Sequence, residues 1–142
     1  MRITLVISSL GGGGAERVIS MMARYWAELG HQVSVITFDN GSTPFYRLGD
    51  EVRWYTLNIT KNSTLWFDGV LNNLKRIYLL RKGILKTKPD CVVSFIHTTN
   101  ILVLLATRIL PCKVIISERN YPKYDKKNRK TWFWLRKTLY PL

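Results

Sequence analysis

The stretch Ile3-Thr-Leu-Val-Ile7 runs directly into Ser8-Ser-Leu-Gly-Gly-Gly-Gly-Ala-Glu-Arg17, and this junction decides the fold. The first five residues read as a buried strand, being almost entirely β-branched and aliphatic. Four glycines, Gly11 to Gly14, end that pattern. Behind them a helical periodicity places Val18, Met22, Tyr25, Trp26 and Leu29 on one face and stops at Gly30. A strand, a glycine loop and a helix in that order open a βαβ unit.

The rest of the chain repeats the alternation. Residues 33–38 predict a second strand and 52–57 a third, followed by a polar connection over 60–64. Residues 65–85 predict a long amphipathic helix. It ends before Lys88-Pro89, because the residue preceding a proline disfavours helix. A strand at 92–96, a helix at 99–110 and a strand at 114–117 come next. A polar loop over 118–128 and a basic, aromatic helix over 129–140 complete the order. Strands alternating with helices give a parallel sheet covered on both faces. Right-handed crossovers make it a doubly wound, mostly parallel, Rossmann-like α/β sheet. Short connections keep residues 1–142 in one domain. The last residues, Leu135-Arg-Lys-Thr-Leu-Tyr-Pro-Leu142, stop directly after a helix, where an open sheet calls for another strand. A continuation is expected.

Composition narrows the function. A chain of 142 residues, 46% hydrophobic, can bury a core, which rules out disorder. Two cysteines do not make a disulfide-stapled mini-protein. The net charge of +13 points to an anionic partner. Residues 1–70 hold six basic and six acidic side chains, whereas 71–142 hold sixteen and three, so the whole excess lies in the second half. The apolar opening is too short for a signal peptide. The longest uncharged run, 91–107, carries Ser94, His97, Thr98, Thr99 and Asn100 in its middle, which a membrane span would not. The expectation is a soluble or peripheral protein of a reducing compartment, whose sequons at Asn58 and Asn62 go unused.

Open α/β sheets bind ligands beyond the carboxyl ends of their strands. Three segments fall there. In the first, Gly11, Gly12, Gly13 and Gly14 with Arg17 let a backbone and a helix N-terminus approach a phosphate or a sugar. The alternative is a tight turn with no ligand. No Gly-Lys-Ser/Thr follows, so this is not a Walker A loop. The third glycine of a dinucleotide fingerprint falls on Glu16, and only Asp39 favours a ribose contact. The second segment is His97, Thr98, Thr99 and Asn100, where a threonine can cap the next helix and His97 can hydrogen-bond or move a proton. A half-buried histidine beside a cap is the plainer reading. The third is Glu118, Arg119 and Asn120, which either orient a hydroxylated ligand or simply fix a loop.

No metal set is expected, since His31 and His97 lie far apart without a carboxylate cluster. Cys91 and Cys112 read as buried thiols at the opposite edge. Lys75, Lys82 and Lys86 form one helical stripe, and Lys130, Trp134 and Lys137 share a side of the last helix. Cations around a tryptophan suit an anionic lipid surface or a lipid phosphate, and a solvated face is the alternative. The aromatics form no base-stacking platform, so nucleic acid is not expected.

The run Ile7-Ser-Ser-Leu-Gly-Gly-Gly-Gly-Ala-Glu-Arg-Val18 and the junction Leu29-Gly-His-Gln-Val33 resemble the N-terminal domain of family 4 glycosyltransferases. The segment from Ser94 to Asn100, the turn Ile116-Ser-Glu-Arg-Asn120 and the run from Leu135 to Pro141 resemble one branch of it. That branch extends lipid-linked oligosaccharides or surface polysaccharide precursors. The resemblance implies half of a GT-B fold, two Rossmann-like domains facing a cleft. It implies sugar transfer from a nucleotide-sugar with retention of configuration and without a metal or other cofactor. Gly12 to Gly14 would then approach the donor diphosphate or sugar. His97, Thr99 and Asn100 would line the acceptor side, and Glu118, Arg119 and Asn120 would occupy a loop near the transferred sugar, with no catalytic residue assigned. The donor-binding C-terminal domain is absent from residues 1–142, so the isolated chain is not expected to transfer sugar. The lysine stripe and Trp134 would meet the cytoplasmic leaflet or an acceptor diphosphate. A non-catalytic module docking on a membrane or on a separate subunit is the alternative function.

Overall fold

The computed structural model describes residues 1–41, 43–59 and 66–118, together with Thr138 and Tyr140. The element order is β1 (Arg2–Ile7), α1 (Gly14–Glu28), β2 (Gln32–Thr37), β3 (Arg53–Thr56), α2 (Trp66–Thr87), β4 (Cys91–Phe95), α3 (His97–Thr107) and β5 (Lys113–Ser117). All strands pair in parallel, in the order β3-β2-β1-β4-β5. The chain therefore runs outward from β1 in one direction, then crosses back to β4. The reversal lies between β1 and β4, where an open sheet leaves a crevice at its carboxyl edge.

Two cores explain why β1, β2 and β4 are nearly continuous apolar runs. Ile3, Leu5, Ile7, Val33, Val35, Val93 and Phe95 pack with Ile19, Ala23 and Ala27 of α1 on one face. Val6, Ile36 and Val92 pack with Leu80, Ile84, Leu102, Val103 and Ala106 of α2 and α3 on the other. Arg81 of α2 donates to the carbonyls of Ala106 (2.8 Å) and Arg108 (3.0 Å), closing the end of α3 and bracing the two helices.

Several elements differ in detail from the sequence expectation. Helix α1 buries Ile19, Ser20, Ala23 and Ala27, with Val18, Met22 and Trp26 at the margin. Tyr25 and Leu29 are exposed instead. The small side chains at 23 and 27 occupy the face that meets the sheet, and Tyr25 and Leu29 fall outside it. Helix α3 begins two residues early, at His97. No side chain caps it. Ile96 takes the cap position with φ 74°, so Thr98 and Thr99 lie inside the first turn. The expected segments 60–64 and 119–137 lie outside the described residues.

Candidate functional site

Because the five strands of the described residues are parallel, their carboxyl ends share one edge. The glycine turn after β1 lies there. Gly11, Gly12, Gly13 and Gly14 are all exposed. Gly13 caps α1 in an extended conformation, φ −83°, without a side-chain cap bond. None of the four has a positive φ. Among the described residues, a Cβ on Gly14 would meet nothing within 4 Å, and one on Gly11 only Ser9 Oγ at 3.9 Å. Neither backbone strain nor internal crowding calls for glycine at those two positions. The bare stretch leads into the first turn of α1, whose N–H groups lack a side-chain partner at the cap. Glu16 folds back over Gly13, and Arg17 is exposed on the same turn. The segment between β2 and β3 closes over this turn. Phe38 N–H donates to the Ser8 carbonyl (3.0 Å), Phe45 N–H to the Leu10 carbonyl (2.9 Å) and the Tyr46 hydroxyl to the Gly12 carbonyl (3.2 Å). Phe45 and Tyr46 carry no motif in the sequence. Only the fold brings them to the glycines.

The turn after β4 is built from side chains. Asn100 is fully buried in the first turn of α3. Its Oδ1 accepts from Ser94 Oγ at 2.7 Å. Its Nδ2 donates to the Ser117 carbonyl (3.2 Å), Glu118 Oε1 (3.2 Å) and the Tyr140 hydroxyl (3.4 Å). The Tyr140 hydroxyl also hydrogen-bonds Glu118 Oε1. Asn100 thus ties β4, the end of β5 and Tyr140 into one node. Thr99 is buried too, with a hydroxyl that finds no partner among the described residues. His97 and Thr98 are half-buried beside them, and Glu118 is exposed at the rim. Of the residues singled out after β4 and β5, the structure brings His97, Thr98, Thr99, Asn100 and Glu118 together. Arg119 and Asn120 lie outside the described residues.

At the end of β2, Thr37 Oγ1 donates to Asp39 Oδ1 (2.7 Å) and accepts from Trp54 Nε1 (3.1 Å), so one oxygen of Asp39 is engaged within the domain. Among the described residues no three His, Cys, Asp or Glu side chains gather into a metal-ligand set. Both cysteines are free and sit at the opposite edge of the sheet, where burial pushes both thiols up. Cys91 packs in the α1-side core and Cys112 against the α2–α3 core.

Helix α2 presents Lys75, Lys82 and Lys86 to solvent. Lys86 Nζ stands 5.2 Å from the centre of the Tyr55 ring. Leu74, Tyr78 and Leu85 are at least half exposed and run beside the lysines at helical spacing. Lys75 and Arg76 also line a recess with Leu57, Asn58 and Ile59 past the end of β3. No helix among the described residues is long and apolar enough to cross a membrane. Lys130, Trp134 and Lys137 lie outside the described residues.

Comparison with known proteins fits this geometry. Residues 12–142 match Glycosyltransferase Family 4. Over 141 residues the chain is 36% identical to a Campylobacter jejuni enzyme, the GalNAc-alpha-(1->4)-GalNAc-alpha-(1->3)-diNAcBac-PP-undecaprenol alpha-1,4-N-acetyl-D-galactosaminyltransferase. The match takes in 99% of the chain and 38% of that relative's length. Among solved structures, sucrose-phosphate synthase of Thermosynechococcus elongatus superposes with a TM-score of 0.72 at 10% identity, over 96% of this chain and 39% of its own. A glycosyltransferase from Rickettsia africae gives 0.60 at 26% identity, over 80% and 28%. The lipopolysaccharide outer core galactosyltransferase WaaB in its apo form gives 0.61 at 17% identity, over 83% and 32%. The fold is that of a Rossmann-like half of a GT-B glycosyltransferase, and the chain belongs to glycosyltransferase family 4.

Proposed function

We propose that this chain is the N-terminal, acceptor-side domain of a retaining glycosyltransferase that moves a sugar from a nucleotide-sugar to a lipid-linked glycan. The observation that carries the reading is the glycine turn at the switch point of the sheet. None of its glycines takes a positive φ, and at Gly11 and Gly14 the packing of the described residues leaves room for a side chain. A backbone left open beside a helix N-terminus suits the diphosphate or sugar of a donor held by a second domain. The rim around His97, Thr98 and Glu118 then receives the acceptor, with Thr99 and Asn100 supporting it from below. Arg17, Arg119 and Asn120 belong to the same proposal by their place in the family's pattern. No resident metal enters it.

A lipid-linked acceptor gives α2 a role. Lysines beside exposed Leu74, Tyr78 and Leu85 make a surface for the cytoplasmic leaflet, where each basic residue near anionic lipid contributes about 1 kcal/mol. Lys130, Trp134 and Lys137 would extend that surface. Reversing Lys75, Lys82 and Lys86 to Glu together should abolish co-sedimentation with anionic liposomes. Unchanged binding would mean that α2 is only a solvated face.

The test of the main reading uses the transferase that carries this domain. It is offered a panel of nucleoside-diphosphate sugars and a polyprenyl-diphosphate-linked glycan, and products are weighed by mass spectrometry. A gain of one sugar with the anomeric configuration kept is the expected result. Transfer to water or to free sugar alone would overturn the acceptor assignment. A folded protein without any transfer would favour a non-catalytic docking module.

A further inference from the structure

We infer that Phe45 is a stacking platform for a pyranose ring of the acceptor glycan. This rests on the glycosyltransferase reading and adds to it a substrate contact that no sequence motif marks. The ring is 71% exposed, although its segment is not loose. The Phe45 N–H is held by the Leu10 carbonyl at 2.9 Å, and the Tyr46 hydroxyl by the Gly12 carbonyl at 3.2 Å. Leu48, three residues on, is buried in the α1-side core. The Phe45 and Tyr46 rings meet edge to face, with centres 5.0 Å apart and planes at 74°. Phe45 is therefore pinned on both sides and still kept out of the core.

Its position gives that exposure a use. The ring stands over Gly12, where a Cβ would lie 3.5 Å from its Cδ2. The exposed peptide groups of Gly11 to Gly14 are next to it at the carboxyl edge. A pyranose has a rim of hydroxyls and a face of C–H bonds with slight positive charge. The electron-rich face of an aromatic ring attracts such C–H groups through its quadrupole. Thr43 and Arg47, on either side in sequence, are exposed and polar, so Phe45 is not part of an apolar run of the kind a protein partner would cover.

The chain itself tests this by saturation-transfer NMR, with the methyl α-glycoside of N-acetylgalactosamine as one probe and uridine diphosphate as the other. The sugar C–H protons should be saturated in the wild type. Phe45→Ala should weaken that signal about fivefold, the scale of one aromatic face contact. Phe45→Leu should weaken it as Ala does, and Phe45→Trp should keep it. Unchanged thermal melting of the variants shows that the domain is intact. No glycoside signal in the wild type, or equal signals in wild type and Phe45→Ala, overturns the inference. So does a Phe45 dependence seen with the nucleotide and not with the glycoside. Failure of the proposed function shows elsewhere, in the longer transferase, as no sugar transferred by the wild type. Failure of this inference alone leaves transfer intact, with the acceptor KM unmoved by Phe45→Ala.

Discussion

The turns after β1 and β4 leave the same edge of the sheet on adjacent strands, yet they are made in opposite ways. After β1 come four glycines, none of which uses a positive φ. After β4 there is no glycine, but Ile96 holds φ 74°, a conformation that a β-branched residue resists by about 1–3 kcal/mol. Glycine is present where the backbone does not need it and missing where it would relieve strain. The first turn lacks side chains and leaves a surface bare. The second holds an unfavourable backbone in place with the side chains of Asn100 and Ser94 and with the backbone bond from the Ile96 N–H to the Ser117 carbonyl (3.2 Å). One turn is left open, and the other is held still.

The largest expected effect tests the second half of that contrast. Asn100→Leu strands the Ser94 hydroxyl in the core and releases Glu118 and Tyr140. A loss of about 3 kcal/mol is expected, the usual scale for a buried polar node left half satisfied. Urea unfolding of the chain measures it. A loss below about 1 kcal/mol, the worth of a single ordinary hydrogen bond, would mean that the node does not hold the turn and the two turns differ in appearance only.

Gly14→Ala tests the first half and should have the opposite sign. Gly14 is the first helical residue of α1, with open space around it. Alanine there lowers the entropy of the unfolded chain and favours helix, for a gain of about 0.5–1 kcal/mol. The same methyl stands where the proposed donor must come close, so transfer by the longer enzyme should fall while the melting temperature rises. Stabilisation without loss of activity would make the turn a plain connector.

The contrast also marks what could be read before the fold was known. The strand, glycine and helix order of residues 3–29 is written in local periodicity, and with it came the parallel sheet. The exposure of Tyr25 and Leu29 was not legible, because the face of α1 that meets the sheet is the one carrying Ala23 and Ala27. The early start of α3 was hidden for a different reason. A strained Ile96 replaces the expected threonine cap, and its support comes from Ser117, on another strand. At the site, the glycines and the Ser94–Asn100 segment stand out as composition. The partners that define them do not. Tyr46 reaches Gly12 across 34 positions and Tyr140 reaches Asn100 across 40, distances over which no local pattern carries information.

The smallest effect belongs to the other end of the same two strands. There β1 and β4 are tied by Arg2 and Asp90, with Nη2 to Oδ1 at 2.6 Å and the Arg2 N–H to Oδ2 at 2.8 Å. The Arg2 hydrogen bonds hold the Asp90 carboxyl below its ordinary value of 3.8. A depressed folded pKa means stability that is present above the unfolded value and lost as pH falls through the folded one. Asp90→Asn should therefore lower the melting temperature slightly at neutral pH, and the gap from wild type should close below pH 3.8. Both partners are well exposed, so solvent screens the pair, and added salt should shrink the gap further. A neutral-pH effect matching that of Asn100→Leu would reverse the ranking, placing the hold on β1 and β4 at their amino ends. The buried node would then be free to serve the site rather than the fold.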